Sequence, residues 1–128
     1  MITIRIADFE KDIKPLANRA KKAGVSMYNP AGAVWFCGEE DGIVFSCGCM
    51  VFNPKTKSVR WKSDFTLEEY RGRGTYKKMT QMRLFRCVNL GAKEITAFVG
   101  DKNLNQYLTL GFKIESKRPN LFYVRKQL

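Results

Sequence analysis

The sequence contains no histidine among its 128 residues. Histidine is the side chain most often used as a general base near neutral pH, and it is the commonest metal ligand. Its absence excludes serine–histidine and cysteine–histidine triads, HExxH zinc sites and zinc fingers with histidine ligands. Any chemistry that the protein performs proceeds without an imidazole.

Acidic residues are also scarce. Twelve Asp and Glu against 23 Lys and Arg leave a net charge of +11, and the sequence pI is near 9.7. This balance predicts a polyanionic partner or an anionic cofactor. Hydrophobic residues make up 45% of the chain and charged residues 27%, which is too apolar for a disordered protein. We expect one domain that spans residues 1–128.

Long apolar runs are missing too. No uninterrupted apolar stretch approaches the roughly 20 residues that a bilayer-spanning helix needs. The chain starts with no apolar signal segment, because residues 1–6 are followed at once by charged residues such as Asp8, Glu10 and Lys11, so no export signal is visible. We therefore expect a cytoplasmic protein with reduced thiols and no membrane partner.

The four cysteines contain no CxxC pair and have no histidine nearby. Cys47 and Cys49 lie two residues apart in the strand-like run 43–52, so both side chains should point to one face of a sheet. We interpret them as small buried apolar residues, with a metal pair as the weaker alternative.

The apolar periodicity predicts an α+β (mixed α/β) domain with the element order β-α-β-β-β-α-β-α-β-β. Strands are predicted at 2–6, 34–39, 43–52, 58–67, 94–99, 112–117 and 121–125. Helices are predicted from an N-cap at Asp8 to Gly24, over 74–90 and over 103–110. Asp41-Gly42 indicates a tight hairpin turn. The polar residues 62–64 interrupt the third strand of the meander, which indicates a site there.

Two glycines, Gly72 and Gly74, lie at the junction between this strand and the long helix. They permit close approach of a ligand to the backbone, and the free N–H groups of the first helical turn form an anion site. Four cations surround that positive helix end, where a cation is unfavourable; they are Arg71, Arg73, Lys77 and Lys78. A bound pyrophosphate would remove this penalty. The alternative is a simple turn with solvated basic residues.

The residues Arg71-Gly72-Arg73-Gly74-Thr75-Tyr76 resemble the Arg/Gln-x-x-Gly-x-Gly/Ala pyrophosphate loop of the GNAT superfamily of N-acetyltransferases. A second block, Tyr107-Leu108-Thr109-Leu110-Gly111-Phe112, is similar to the Tyr-x-x-x-Gly-Phe ending of that family's fourth helix. The element order also matches the family topology, so the resemblance covers nearly the whole chain. It implies a GNAT-like central mixed sheet of about seven strands, flanked by helices.

The resemblance implies an acyl-CoA-dependent N-acetyltransferase that uses acetyl-CoA as co-substrate, with no metal. A primary amine would attack the thioester directly, which requires no histidine. Backbone groups of Phe65, Thr66 and Leu67 would pair with the pantetheine arm and polarise the acyl oxygen. The pyrophosphate would be held by the N–H groups of Arg71, Gly72, Arg73, Gly74, Thr75 and Tyr76. Asn103 carries a weaker expectation of contact with the cofactor.

Two side chains are candidates for proton transfer. Tyr107 aligns with the family's usual general acid and would protonate the leaving thiolate, the alternative being a core tyrosine. Asp64 is the best candidate base, because it is a carboxylate within the strand that lines the site; a solvated carboxylate and a water base are its alternatives. Tyr76 departs from the family pattern of Gly or Ala. Its ring would point outwards, stack on the ligand or narrow the site.

The acceptor amine is open, and the charge excess brings a polyanion or nucleic acid into view. Basic residues recur on the meander, the long helix and the end of the chain: Lys55, Lys57, Arg60, Lys62, Arg83, Arg86, Lys113, Lys117, Arg118, Arg125 and Lys126. Trp35, Trp61, Phe122 and Tyr123 are interleaved with them, as on a nucleic-acid surface. A GNAT-like nucleic-acid-binding or base-modifying protein is therefore the alternative function. A domain that has lost acyl-CoA binding and acts through protein contacts is a third hypothesis.

Overall fold

A seven-stranded mixed sheet forms the centre of the computed structural model, which describes residues 1–128. Its strand order is β1-β2-β3-β4-β5-β7-β6, and only β4 and β5 are parallel. The strands are β1 (Thr3–Ala7), β2 (Ala33–Glu40), β3 (Ile43–Asn53), β4 (Ser58–Thr66), β5 (Glu94–Val99), β6 (Lys113–Arg118) and β7 (Leu121–Gln127). The predicted class, sheet type and element order are confirmed.

The helical segments are α1 (Ala17–Lys22), α2 (Thr75–Asn89) and α3 (Asp101–Thr109), with a short 3₁₀ turn over Glu68–Tyr70. Asp8 caps the first segment, as predicted, and its carboxylate accepts a hydrogen bond of 3.1 Å from the Glu10 N–H. The single helix predicted after Asp8 is wrong. A π-helical turn over Phe9–Ile13 and a 3₁₀ turn over Lys14–Leu16 precede α1, because Pro15 has no N–H to donate to a regular helix.

Each face of the sheet packs against helices. On one face α2 and α3 cover a core that includes Trp61, Met79, Cys87, Tyr107 and Phe112. On the other face the segment around α1 covers a second core, with Ile13, Ala20, Trp35, Cys37, Phe45, Cys47 and Cys49. All four cysteines are buried free thiols, as predicted. Burial raises the pKa of Cys37 and Cys49 to about 11, so both stay protonated near neutral pH.

The parallel strands β4 and β5 separate along their length. They pair only from Ser58 and Glu94 as far as Trp61 and Ala97. Further on, β4 remains paired with β3 and β5 with β7, so a gap opens within the sheet. This gap is the feature around which the candidate site is built.

A β-bulge shapes the edge of that gap. The pairing of β3 with β4 shifts between Cys47 and Cys49, so that Ser63 and Asp64 together face Gly48. Ser63 has a φ of 59°, in the left-handed region that residues with a Cβ seldom adopt. The bulge accounts for the polar interruption seen in the sequence.

Candidate active site

The Asp64 carboxylate is the centre of a buried polar cluster. Its Oδ2 accepts hydrogen bonds from the Tyr76 hydroxyl at 2.5 Å, the Tyr107 hydroxyl at 2.7 Å and Arg83 Nη2 at 3.1 Å. Its Oδ1 accepts from Arg83 Nη1 at 2.7 Å. The bulge of β4, the first turn and the middle of α2, and the C-terminal half of α3 thus converge on one carboxylate.

Arg83 is the unexpected member of this cluster. The prediction that it contributes to a basic surface is wrong, because its side chain is 0% exposed. The guanidinium carbon lies 4.3 Å from the centre of the Trp61 ring, and Nη1 also donates to the Cys49 carbonyl at 3.3 Å. A buried guanidinium is strongly unfavourable without such partners. Met79, Arg83 and Cys87 follow one another at four-residue intervals, which places all three on the buried face of α2. This spacing could have indicated from the sequence that Arg83 is buried.

Gly48 leaves the space that this ion pair occupies. A Cβ built on Gly48 would lie 2.9 Å from Met79 Sδ, 3.0 Å from Arg83 Nη1 and 3.1 Å from Asp64 Oδ1. Any side chain at this position would therefore push into the cluster. The bulge at Ser63 and Asp64 and the missing side chain at Gly48 together make room for the ion pair.

The electrostatics of the cluster keep both tyrosines protonated. Burial, and then the negative charge of Asp64, raise the pKa of Tyr107 and of Tyr76 well above the ordinary value of tyrosine. Burial is the largest single influence on the pKa of Arg83 and acts to lower it, but Asp64 together with Tyr107 and Tyr76 more than offsets burial, so the pKa is raised. The cluster therefore holds one buried ion pair and two neutral phenols.

A first cavity of about 730 Å³ lies at the start of α2. Its lining includes Asp64, Phe65, Thr66, Arg71, Gly72, Arg73, Gly74, Thr75, Tyr76, Lys77, Lys102 and Asn103. Gly72 and Gly74 have φ values of 78° and 76°, which glycine adopts without strain. The first N–H groups of α2 have no partner within the helix and carry its positive end. The cavity thus combines free backbone donors with cations.

The cations at this cavity differ in their partners. Arg73 makes two hydrogen bonds of 2.8 Å to the Glu40 carboxylate, and Arg71 Nε donates to the Thr66 carbonyl at 3.2 Å. Lys77 and Lys102 line the cavity without an ion-pair partner. Lys78 is exposed and does not line it. Lys102 was not anticipated from the sequence.

The Thr75 hydroxyl is a polar group at the cavity wall that the protein itself leaves unsatisfied. Its Oγ1 is buried and has no hydrogen-bond partner. Buried hydroxyls are normally paired, because an unpaired one costs about 1–3 kcal/mol. Because the oxygen itself has no contact with the open cavity, the Thr75 side chain must turn before its hydroxyl can donate to a ligand there.

A second cavity, of about 920 Å³, opens beside the first. Its lining includes Tyr28, Arg60, Trp61, Lys62, Ser63, Phe98, Asp101, Tyr107, Asn120 and Leu121. Five residues line both cavities: Ala23, Val25, Asp64, Lys102 and Asn103. Asp64 therefore lies where the two cavities meet, and Tyr107 reaches this point from the second one.

The structure brings most of the predicted residues to these cavities. Leu67 is the exception among the predicted backbone contacts, because it lines neither cavity and its N–H donates to the Phe45 carbonyl at 2.8 Å. Tyr76 points inwards and packs against the core while it donates to Asp64. Its ring therefore forms part of the site wall. Whether Tyr107 and Asp64 act in proton transfer stays a prediction.

The aromatic half of the nucleic-acid hypothesis is wrong for three of its four rings. Trp35, Trp61 and Phe122 are 3%, 1% and 9% exposed, so they belong to the cores and are inaccessible to bases. Stacking on exposed rings is what gives single-stranded nucleic acids their sequence-tolerant affinity.

No group of three or more Cys, Asp or Glu side chains is arranged to hold a metal ion. None of the helices has the length and the apolar character needed to span a bilayer.

The sequence matches no protein-family model and no curated protein. Solved structures are similar in fold. A Klebsiella pneumoniae protein assigned as an acyl-CoA N-acyltransferase has a TM-score of 0.84 and 14% identity, covering 100% of this chain and 98% of that one. The PaiA N-acetyltransferase from Thermoplasma acidophilum, solved with coenzyme A, has a TM-score of 0.78 and 15% identity over 100% and 99% of the two chains.

A third similar structure is a GNAT-family protein from Desulfovibrio desulfuricans, with a TM-score of 0.79 and 12% identity over 99% of each chain. At sequence identities this low, the structural similarity establishes the fold alone. The protein has the fold of the GNAT acetyltransferases, and the expected architecture is confirmed.

Proposed function

We propose that this protein is an acyl-CoA-dependent N-acetyltransferase that moves an acetyl group from acetyl-CoA to a primary amine. The observation that carries the proposal is the junction of the two cavities at Asp64, with a glycine-rich helix start on one side and an open cleft on the other. Two substrates that must meet need two approaches to one point. The GNAT fold, and the coenzyme A bound to the Thermoplasma protein of that fold, support the same function.

The first cavity is the proposed site for the coenzyme. The N–H groups from Arg71 to Tyr76 would hold the pyrophosphate at the positive end of α2. Lys77 and Lys102 supply charge that no acidic side chain neutralises. The buried Thr75 hydroxyl would supply a further donor once its side chain turns into the cavity. Backbone groups of Thr66 lie on the edge of β4 that β5 leaves unpaired, where they would bind the pantetheine arm. The Phe65 carbonyl instead points towards β3, where it accepts from Ser46 Oγ at 3.2 Å.

The acetyl group would be transferred at the junction. The amine nitrogen attacks the thioester carbonyl carbon, the carbon–sulfur bond breaks, and the thiolate takes the proton of the Tyr107 hydroxyl. Tyr107 is protonated and ready for this role because its pKa is raised by burial and by Asp64. When its O–H turns towards the sulfur, Tyr76 and Arg83 still donate to Asp64, so the carboxylate keeps its partners.

The contacts of Asp64 favour a positioning role. A base must offer a free lone pair to the amine proton, whereas Asp64 already accepts four hydrogen bonds from three side chains. In this arrangement it holds the Tyr107 hydroxyl at the junction, and water takes the amine proton. The role of Asp64 as general base stays a prediction. To take the amine proton, the carboxylate would first have to lose one of its hydrogen-bond donors.

Calorimetric titration with acetyl-CoA tests the proposal. We expect saturable binding, and thermal stabilisation that grows with ligand concentration. Gly74→Glu should abolish both, because it places a carboxylate among the phosphate-binding groups. Gly91→Glu, at the other end of α2, is the matched control. Gly91 has a φ of 74° and, like Gly74, open space at its Cβ position, so both variants bear similar backbone strain of about 1–2 kcal/mol.

The control should bind acetyl-CoA as the unaltered protein does. Absence of binding at millimolar acetyl-CoA would overturn the proposed function. Equal loss of affinity in both glycine variants would place the coenzyme elsewhere.

A further inference from the structure

Two cations of β4 lie together in the second cavity without an acidic partner. Arg60 and Lys62 are two residues apart, so their side chains share one face of the strand. Neither is within ion-pair distance of a carboxylate. Lys62 Nζ donates to the Tyr28 carbonyl at 2.9 Å and lies 5.0 Å from the centre of the Tyr28 ring. The ammonium is therefore held in place in the cavity wall.

Two other arginines of the sheet are paired with carboxylates. Arg5 on β1 contacts Asp12 and Glu39, and Arg125 on β7 contacts Glu94 and Glu115. Arg60 and Lys62 have no such partner.

The charges that face the second cavity leave it positive. Its cations are Arg60, Lys62 and Lys102, and its acids are Asp64 and Asp101. Asp64 is neutralised by the buried Arg83, so Asp101 is the one acid free to offset three cations. Burial, together with the charge of Arg60, lowers the pKa of Lys62, which is the effect expected of a cation that lacks a counter-ion.

We propose that the acceptor is a primary amine that carries an anionic group, a carboxylate or a phosphate, and that Arg60 and Lys62 bind this group. The amine end of such a molecule reaches the junction at Asp64 and Tyr107, which line the same cavity. Tyr28 and Phe98, 64% and 50% exposed, flank the cavity and contact the carbon skeleton. This inference rests on the proposed acetyltransferase function and specifies its second substrate.

Matched pairs of amines test it. Phosphoethanolamine is compared with ethanolamine, and γ-aminobutyrate with butylamine, in acetyl transfer from acetyl-CoA. Charge-assisted hydrogen bonds to an anion predict that kcat/KM is about tenfold or more higher for the anionic member of at least one pair. A preference in the first pair alone identifies a phosphate, and a preference in the second alone identifies a carboxylate. Equal or lower kcat/KM for both anionic members overturns the inference.

A double variant, Arg60→Gln with Lys62→Gln, locates the effect. It should remove the preference by raising KM for the anionic amine about tenfold or more, with the Kd of acetyl-CoA unchanged. The control is Lys55→Gln with Lys113→Gln, which removes the same charge from exposed positions that line neither cavity. A preference that survives in the Arg60 and Lys62 variant, or that disappears equally in the control, overturns the inference.

Binding of the amines without acetyl-CoA separates the two proposals. It is followed by NMR chemical-shift titration of the unaltered protein. If acetyl-CoA fails to bind but the anionic amine still binds about tenfold more tightly than its neutral partner, the acetyltransferase proposal fails and the anion site stands. If acetyl-CoA binds and the amines of both pairs bind equally, the anion site fails and the acetyltransferase proposal stands.

Discussion

The guanidinium of Arg83 meets both oxygens of the Asp64 carboxylate, with Nη1 2.7 Å from Oδ1 and Nη2 3.1 Å from Oδ2. This pair ties the bulge of β4 to the middle of α2, the helix whose first turn forms the proposed pyrophosphate site. Because the carboxylate also accepts from Tyr76 and Tyr107, the position of the catalytic junction depends on this buried charge pair.

Removal of the Arg83 cation should lower the free energy of unfolding of the protein. Arg83→Met leaves the Asp64 carboxylate buried without its charge partner, and we expect a loss of about 3–5 kcal/mol in the free energy of unfolding, measured by denaturant titration. Arg19→Met is the control, since Arg19 pairs with Glu69 at the surface, with both side chains more than half exposed. A loss as small for Arg83→Met as for Arg19→Met would contradict a structural role for the buried pair.

A methyl group opposite the bulge should also be costly. Gly48→Ala puts a Cβ within about 3 Å of Met79, Arg83 and Asp64, and overpacking of this kind costs about 1–3 kcal/mol. Gly100→Ala is the comparison, because the nearest atom to its Cβ is the Asn120 carbonyl oxygen at 3.8 Å. Thermal unfolding of both variants is the measurement. Equal midpoints for the two would show that the ion pair can shift without cost.

The unpaired hydroxyl of Thr75 should strengthen acetyl-CoA binding and lower the stability of the free protein. Thr75→Val keeps the shape of the side chain and removes a buried polar group without a partner, so the free protein should gain about 1 kcal/mol of stability. If the hydroxyl donates to the coenzyme, the same change weakens acetyl-CoA binding by about tenfold. Unfolding midpoints and calorimetric titration measure the two effects. Unchanged affinity would leave Thr75 without a role in binding.

The regular elements and their order could be predicted because local patterns determine them. Asp41 and Gly42, for example, adopt φ values of 53° and 78° in the hairpin turn that their residue types predict. The polar interruption of β4 was also visible, but its bulge geometry depends on pairing with β3. The start of the chain was less predictable, since Pro15 divides one periodic stretch into three kinds of helical turn.

The centre of the site was predictable only in part. Tyr107 and Asp64 were identified separately, and their hydrogen bond depends on tertiary packing that brings α3 to the bulge. Arg83 was missed because an arginine is ordinarily exposed, although its spacing from Met79 and Cys87 placed it on the core face. Tyr76 could not be placed either, since its inward orientation depends on an acceptor twelve residues away in the sequence.

Loss of the Tyr107 hydroxyl should reduce turnover without affecting the coenzyme. If Tyr107 protonates the thiolate, Tyr107→Phe lowers kcat by about 10²–10⁴-fold. The Kd of acetyl-CoA should not change, because Tyr107 lines only the second cavity. Tyr76→Phe is the matched control, as it removes one phenol from the same Asp64 oxygen and should lower kcat far less. Equal losses in the two variants would indicate that both tyrosines only position Asp64.

The pH dependence of kcat provides a second test of Tyr107. The acid must carry its proton, so the active form exists below the pKa of Tyr107, and activity through this group is lost only as pH rises past that value. Burial and Asp64 raise this pKa above the ordinary tyrosine value of about 10. With kcat measured between pH 7 and about 10, we therefore expect no alkaline decline due to Tyr107. A decline within that range that is absent from Tyr107→Phe would contradict the protonated, buried phenol on which the mechanism depends.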